Sequence, residues 1–439
     1  MLSTALHKLS EQALQVLKQH VRQPLFRTML VRRSRPTVQR LEYDRGHISL
    51  VLKPHFVERS EWPLTDQYRF VNQAIKPLSS YSYCLATLEK SFGIGREHIE
   101  PRLTRYLQVL VATYFDEQDN SIVTPFCQRF LQDLEGVPIR WVIKGAIRGV
   151  ILETEQFRFG KYLLRRPVAE DFEVEQAVED GAAHPLQVYP PSAFLEFETR
   201  APDHHGVRRE YSGILNLLRL FRIGSIRSVA LVSKPDSIIQ SPGTLYSFGA
   251  APAPYGYSLR AADQTPLGRF LENHLFCVAR LDTAEDIDAE HAFLCLAYKT
   301  YTLALLDHGH AESGLLLALA CLEGLLLRHR ERSEVGAARP LGRRLKSLLL
   351  ACGALPDSVE GSLQQAYDVR KVRGRSPAPG DVAPRSLTRL SRTVLNYVRI
   401  ALVAFAHTAD SVTHDRFIEI LDGGSGAAKR LLKNTDVPL

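Results

Sequence analysis

The sequence predicts an α+β fold, with a mixed α/β region over residues 1–136, a β-rich domain over residues 137–285 and an all-α helical domain over residues 286–439. Three observations support this prediction. The chain has 439 residues, of which 45% are hydrophobic and 23% charged, enough for two or three cores. Short apolar segments bounded by Gly, Pro or charged residues fill the middle of the chain. From Asp286 onward, apolar residues follow the 3.6-residue period of helices.

The first region combines helical and strand patterns. The amphipathic stretch Leu2–Val31 predicts a helix, and alternation within Thr37–Val57 predicts strands. Helical patterns return near Leu103–Thr113 and Pro125–Leu134. Nothing in this region identifies a reaction or a ligand.

The middle domain is dominated by β-type segments. One helix, Tyr211–Phe221, interrupts them, and the Pro/Gly-rich stretch Ser241–Tyr257 is expected to be a long loop. The predicted strands are Arg140–Ile147, Val150–Phe157, Lys161–Arg165, Leu186–Tyr189, Phe194–Thr199 and Ser225–Ser233.

The last domain reads as a helical bundle. Ser358 and Ser386 stand near the starts of two helices, and Gly353 follows the end of another, where a left-handed residue is favoured. The predicted helices are Ile287–Leu306, Glu312–Arg330, Leu341–Cys352, Asp357–Val372, Leu387–His407 and His414–Leu421.

Several classes of protein are disfavoured by the sequence. The stretch after Met1 lacks the compact apolar core of a secretory signal, so a cytoplasmic location is expected. The apolar run Gly314–Leu327 is short and interrupted by Glu323, which argues against a membrane span. Six cysteines lack a disulfide or zinc spacing, and the run Asp203-His204-His205 has the letters of a metal phosphoesterase motif without partner clusters. We therefore expect neither a metal nor a cofactor.

Positive charge is concentrated in two runs of the helical domain, although the net charge of the whole chain is only +7. Seven Arg or Lys residues lie between Arg328 and Lys346, and seven more between Arg370 and Arg392. Clustered cations suit a polyphosphate backbone, because each one neutralises a phosphate and releases a counterion. Solvated basic helix faces are the alternative interpretation.

Three short motifs of the helical domain resemble the Apea-like HEPN family, whose better-known relatives in the HEPN superfamily are metal-independent RNases and nucleic-acid-associated proteins. Residues 315–326 (LLLALACLEGLL) resemble that family's apolar helix with one acidic residue before a Leu-Leu pair. Residues 341–349 (LGRRLKSLL) are similar to its next helix, and residues 366–370 (AYDVR) to the start of its signature motif. The segments 145–171 and 190–218 resemble the β-rich region that often precedes such domains.

The chain departs from this family at the signature motif. The family has an Arg followed four to six residues later by a His, but here Arg370 is followed by Lys371, Val372 and Arg373, and the next histidine is His407. RNA cleavage through the 2′-hydroxyl needs a group with a near-neutral pKa to move a proton. An arginine can hold a phosphate but cannot act as that base. The resemblance therefore implies phosphate binding more strongly than catalysis.

These arguments give a set of candidate site residues. Arg370 is the candidate catalytic residue if any RNase activity exists. Glu323 is expected to pair with Arg370 or Arg344, and Tyr367 and Asp368 to orient the site. The candidate nucleic-acid-binding residues are Arg370, Lys371, Arg373, Arg375, Arg343 and Arg344.

Two functions from different classes follow. The first is a HEPN protein of a bacterial defence or toxin-type system that binds RNA or another nucleic acid through a basic helical cleft, with a homodimer bringing both copies of Arg370 together. The second is a non-catalytic adaptor whose bundle mediates oligomerisation or holds a partner protein. No membrane partner is expected.

Overall fold

The computed structural model describes residues 2–20, 29–173, 176–177, 186, 190–246, 256–279, 292–306, 311–333, 337–355, 358–373 and 384–433. Helices and antiparallel sheets are both present, which confirms the predicted α+β class.

A small helical core lies at the N-terminus. Helix α1 buries Leu6, Leu9, Ala13 and Leu17, which repeat at the spacing of one helix face. This face packs with four further helices around a hydrophobic cluster that Ile238 also joins. The helices are α1 (Leu2–His20), α2 (Leu64–Phe70), α3 (Ser79–Phe92), α4 (Arg96–Glu117) and α5 (Val123–Leu134).

The predicted first helix is too long at its C-terminal end. Helix α1 ends at His20, residues 21–28 lie outside the described residues, and Met29–Ser34 is strand β1. Strand β1 pairs in antiparallel register with β4 (Phe56–Glu61), so pairing with a distant segment overrides the local helical pattern.

The strand prediction for Thr37–Val57 is confirmed by a β-hairpin. Strands β2 (Thr37–Asp44) and β3 (His47–Lys53) pair in antiparallel register. Arg45 and Gly46 between them both have positive φ, as a two-residue type I′ turn requires. The hydroxyl of Tyr43 accepts a hydrogen bond of 2.9 Å from the amide of Leu152, so the hairpin contacts the middle of the chain.

A six-stranded antiparallel sheet forms the middle of the molecule, in the order β12-β11-β5-β10-β8-β7. Strands β6 and β13 pair in parallel beside it, and β9 extends the β1–β4 pair. The strands are β5 (Ile139–Arg148), β6 (Val150–Leu152), β7 (Gln156–Phe159), β8 (Tyr162–Arg165), β9 (Gln176–Ala177), β10 (Ala193–Ala201), β11 (Arg227–Pro235), β12 (Gly243–Tyr246) and β13 (Tyr257–Leu259).

Most predicted strands of this domain are confirmed, with three differences. The predicted strand Val150–Phe157 is divided into β6 and the start of β7. The predicted strand Leu186–Tyr189 lies outside the described residues except for Leu186, which is buried. The predicted loop Ser241–Tyr257 contains strand β12, which pairs with β11 at the sheet edge. Local sequence patterns do not predict this strand, because it forms by pairing with another segment.

Two α-helices lie in the described ranges of this domain, where the sequence predicted one. Helix α6 (His204–Phe221) begins earlier than expected because the Asp203 carboxylate accepts a hydrogen bond from the Gly206 amide. Helix α7 (Gln264–Ala279) was missed. A Cβ at Gly145 of strand β5 would lie 2.2 Å from a ring carbon of Tyr211, so glycine allows α6 to lie close to the sheet.

The last part of the chain is helical, as predicted, with boundaries that differ by a few residues. The helices are α8 (Ala292–Leu306), α9 (Ala311–Leu326), α10 (Ala338–Ala351), α11 (Val359–Arg373), α12 (Pro384–Thr408), α13 (His414–Asp422) and α14 (Ser425–Leu431). Cys295 and Cys321 are buried, consistent with their prediction as core residues.

The sheet and these helices share one hydrophobic cluster across the predicted boundary at residue 286. Polar contacts tie the same surfaces together. The Tyr301 hydroxyl donates to the Arg219 carbonyl at 2.9 Å, and the Ser225 hydroxyl donates to the Leu305 carbonyl at 2.7 Å. The bundle therefore packs directly on α6 and on the chain that leaves it.

Candidate nucleic-acid interface

Glu323 is the acidic residue of the apolar helix α9, and it is nearly buried. Two residues one turn apart on α11 reach its carboxylate. The Tyr367 hydroxyl donates to Oε1 at 2.8 Å, and Nη1 of Arg370 donates to both oxygens at 2.8 and 3.0 Å. The expected pairing of Glu323 with an arginine is confirmed, and the partner is Arg370.

In this arrangement Arg370 is accessible to solvent, and its positive charge is balanced by Glu323. Its side chain is 51% exposed, whereas that of Glu323 is 9% exposed. Burial raises the pKa of the Tyr367 hydroxyl, and the hydrogen bond to Glu323 and that residue's negative charge raise it further. Tyr367 therefore stays protonated near neutral pH and cannot accept a proton from RNA. The three residues form a closed hydrogen-bonded group that positions one guanidinium at the surface.

Arg344 belongs to the interior, which corrects its prediction as a nucleic-acid contact. Its side chain is 1% exposed, and its guanidinium donates to both oxygens of Glu331 at 2.6 and 2.9 Å and of Asp422 at 2.7 and 2.9 Å. A third acceptor is the Leu326 carbonyl. A phosphate would have to displace these two partly buried carboxylates from a buried guanidinium. Arg344 is therefore a structural residue.

The pKa values of Glu331 and Asp422 also reflect their hydrogen bonds with Arg344. The hydrogen bond from Arg344 lowers the pKa of Glu331. Burial alone would raise the pKa of Asp422, but hydrogen bonds from Arg344 and Arg343 outweigh burial and lower it. Both carboxylates are therefore ionised throughout the neutral range.

A basic groove lies between α10 and α11. Three exposed cations of α10, namely Arg339, Arg343 and Lys346, repeat at i, i+4 and i+7 and so share one helix face. Glu360 and Gln364 of α11 line the opposite side of this pocket, whose volume is about 740 Å³. Arg343 also donates to Asp422 at 2.7 Å. Among the described residues, no carboxylate forms an ion pair with Arg339 or Lys346.

The remaining predicted residues lie at or beyond the end of α11. Lys371 is exposed, and its ammonium is 3.7 Å from the Asp368 carboxylate, which also accepts a hydrogen bond from Gln364. Arg373 ends α11, but its side chain lies outside the described residues, as does all of Arg375. The structure thus brings Arg343, Asp368 and Lys371 to neighbouring helices and gives Arg370 a separate partner.

Sequence reasoning missed a second basic site, where three helices meet. Arg222 follows α6, Asp263 precedes α7, and Arg389, Arg392 and Arg399 belong to α12. We call this pocket of about 630 Å³ the arginine cleft. Arg389 and Arg392 belong to a basic run visible in the sequence, but no local pattern brings Arg222 and Asp263 to them.

Asp203 and His204, from the run with the letters of a metal phosphoesterase motif, form contacts within the protein. Asp203 caps α6, and the His204 ring is 3.2 Å from the Ser233 hydroxyl and 3.1 Å from the Ser241 carbonyl. Within the described ranges, no group of three or more His, Cys, Asp or Glu residues could hold a metal ion.

Comparisons of this chain with family models, with curated proteins and with solved structures find no match. None of the helices in the described part of the chain is long and apolar enough to cross a membrane.

Proposed function

We propose that the C-terminal helices form a HEPN-type bundle that binds the phosphate backbone of RNA through the basic groove and does not cleave it. The observation that carries this proposal is the row of Arg339, Arg343 and Lys346 along one face of α10. Three cations over about 10 Å of helix can contact successive phosphates of one strand. Arg370 and Lys371 supply further positive charge on α11.

The absence of cleavage follows from the partners of Arg370. Its guanidinium is held by the Glu323 carboxylate, and the nearby Tyr367 hydroxyl has a raised pKa. An anionic phosphate must compete with Glu323 for this arginine. No histidine occurs between Arg370 and His407, and the His407 ring packs against His274 of α7. The histidine that would transfer a proton in the family's motif is therefore missing from the segment after Arg370.

The binding test is fluorescence anisotropy with labelled single-stranded RNA over a series of salt concentrations. The triple variant R339A/R343A/K346A is expected to reduce the slope of log K against log salt by up to about 2, because each lost phosphate contact contributes about 0.7. The matched control is K8A/K90A/R96A, which removes three exposed cations from the N-terminal helices. Equal slopes for the wild type and the groove variant would overturn the proposal.

The cleavage part is tested separately with the same RNA and purified protein. Wild type and R370A are both expected to leave the RNA intact. Cleavage by the wild type that disappears in R370A would show that the bundle is an RNase, and the non-cleaving part of the proposal would then be wrong.

A second candidate function, an oligomerisation or partner-binding scaffold, is favoured by α8. Leu296 and Leu303 lie two turns apart on one face of this helix and are 67% and 61% exposed. Large apolar side chains in such a row are typical of interaction surfaces. Sedimentation velocity is expected to show self-association that the variant L296Q/L303Q loses. A wild-type chain that stays monomeric at high concentration would remove the support for homodimerisation.

A further inference from the structure

The arginine cleft carries more positive charge than its own carboxylate can balance. Arg222 donates to both oxygens of Asp263 at 2.7 and 2.8 Å, so this acid is fully engaged by one guanidinium. Arg389 and Arg392 are exposed, stand one turn apart on α12, and form no ion pair with any carboxylate of the described residues. Two neighbouring guanidinium groups thus remain available at the mouth of the cleft.

The rear of the cleft is a rigid cationic wall. Arg399 is 2% exposed. Its Nη1 donates to the carbonyls of Leu220 and Phe221 at 2.9 and 3.0 Å, and its Nε donates to the side-chain oxygen of Asn396 at 2.9 Å. Burial lowers the pKa of Arg399 to about 10, so the guanidinium stays charged at neutral pH. Because the Asn396 oxygen accepts from Arg399, its amide NH₂ group remains as a donor in the cleft wall.

A buried polar atom beside this wall has no partner. The Tyr257 hydroxyl is completely buried and makes no hydrogen bond within the described part of the chain. Its charged neighbours are Arg222, Asp263 and Arg399, all of which line the cleft. A buried hydroxyl without an acceptor is costly, and such groups often mark a missing water or ligand.

We propose that the arginine cleft binds a small molecule that carries a diphosphate group. Arg389 and Arg392 hold the phosphate oxygens as fork-shaped donors, Asn396 supplies a donor behind them, and the buried Arg399 adds positive charge. The walls formed by Phe221, Ile223 and Pro266 are apolar and accommodate the organic part of the ligand. A volume of about 630 Å³ lies in the range of small-molecule sites.

This site is separate from the basic groove and serves a different ligand. The groove lies on α10 and α11, whereas the cleft joins α6 and α7 to α12. The ligand therefore contacts both the helices that pack on the sheet and the C-terminal bundle. Its binding stabilises the junction between them, because only the folded chain brings Arg222 and Arg392 to the same cleft.

The experiment is isothermal titration calorimetry of the full chain with inorganic pyrophosphate. We expect saturable binding at one site. The variant R389A/R392A is expected to weaken it at least about tenfold, since each lost charged hydrogen bond is a large part of such an affinity. The control K8A/K90A removes two exposed cations elsewhere and is expected to keep the wild-type Kd within about twofold. Circular dichroism melting of both variants shows whether they remain folded.

Several outcomes would overturn the proposal. No saturable heat with pyrophosphate in the wild type would do so, as would equal weakening in the two variants, which indicates general charge attraction. A folded R389A/R392A variant that loses RNA affinity but keeps pyrophosphate affinity would assign the cleft to RNA instead. The groove variant R339A/R343A/K346A separates the proposals, because its RNA binding falls if the groove is correct while pyrophosphate binding reports only on the cleft.

A second arm compares adenosine diphosphate with pyrophosphate. Tighter binding of adenosine diphosphate supports a role for the apolar wall of Phe221, Ile223 and Pro266. Equal or weaker binding would overturn that part of the proposal and leave a site for the diphosphate group alone.

Discussion

Nε of Arg344 lies 2.7 Å from Oδ1 of Asp422, and its Nη2 lies 2.9 Å from Oδ2. One buried guanidinium thus joins α10 to the end of α13 through a bidentate ion pair. Glu331 closes the other side of the same guanidinium. The arginine is buried and the two carboxylates are partly buried, so the loss of the cation would leave both acids without their main partner.

The variant R344A is expected to lower the free energy of unfolding by about 3–5 kcal/mol, because it breaks a buried ion pair from one side. The neighbouring variant R343A is the control. Its side chain is 62% exposed, and surface pairs of this kind contribute about 0–1 kcal/mol. Urea denaturation followed by circular dichroism measures both values. Equal effects of the two substitutions would contradict the structural role of Arg344.

The same cluster predicts a dependence of stability on acid. The folded pKa values of Glu331 and Asp422 lie below their ordinary values of 4.5 and 3.8. At mildly acidic pH the unfolded chain therefore binds more protons than the folded chain, so stability falls as the pH falls. We expect the melting temperature to fall as the pH is lowered from 5 to 3, with a shallower fall in R344A. Parallel curves for the wild type and R344A, measured by calorimetry, would show that these carboxylates do not contribute.

Removal of Arg370 from its pair with Glu323 is expected to lower the free energy of unfolding less than R344A does. R370A is expected to cost about 1–2 kcal/mol, because Glu323 keeps the Tyr367 hydrogen bond and Arg370 is half exposed. In the double variant E323Q/R370A the buried charge is gone, so we expect part of that loss to be recovered. A double-mutant cycle by chemical denaturation measures the coupling. Additive effects would mean that the two side chains do not interact in solution.

The close packing of α6 on strand β5 predicts that a methyl group added at Gly145 lowers stability. In G145A the new Cβ would lie 2.2 Å from the Tyr211 ring, so we expect a cost of about 1–3 kcal/mol. Gly268, inside α7, is the matched control because a Cβ there meets no atom within 4 Å. G268A is expected to stabilise the chain by about 0.5–1 kcal/mol. Thermal melts of both variants test this difference, and a neutral G145A would contradict the close packing of α6.

The helices of the last domain could be predicted because their apolar residues repeat at the helical period. The pairing of Glu323 with an arginine was also foreseeable, since a carboxylate in an apolar helix requires a cation, but the sequence left Arg370 and Arg344 as alternatives. The role of Arg344 was not. Arg343 and Arg344 are adjacent and chemically identical, and only the helix orientation decides that one is exposed and the other buried.

The failures arose where contacts distant in the chain decide the structure. Strand β1 exists because β4 pairs with it. Part of the predicted loop Ser241–Tyr257, residues Gly243–Tyr246, forms β12 because it pairs with the edge of β11. The arginine cleft needs Arg222, Asp263 and Arg392, which come together only after folding. Charge counting along the sequence therefore found one part of this site but could not assemble it.

The hydrogen bonds from Arg399 to the carbonyls of Leu220 and Phe221 also set an order of events during synthesis. These carbonyls end α6, and the arginine that satisfies them lies 179 residues later than Leu220. At a synthesis rate of about 5–20 residues per second, the ribosome adds Arg399 roughly 10 to 40 s after the helix that needs it. During that interval Arg399 cannot donate to either carbonyl. The hydrogen bonds between α12 and the end of α6 therefore form only after α12 has emerged from the ribosomal tunnel.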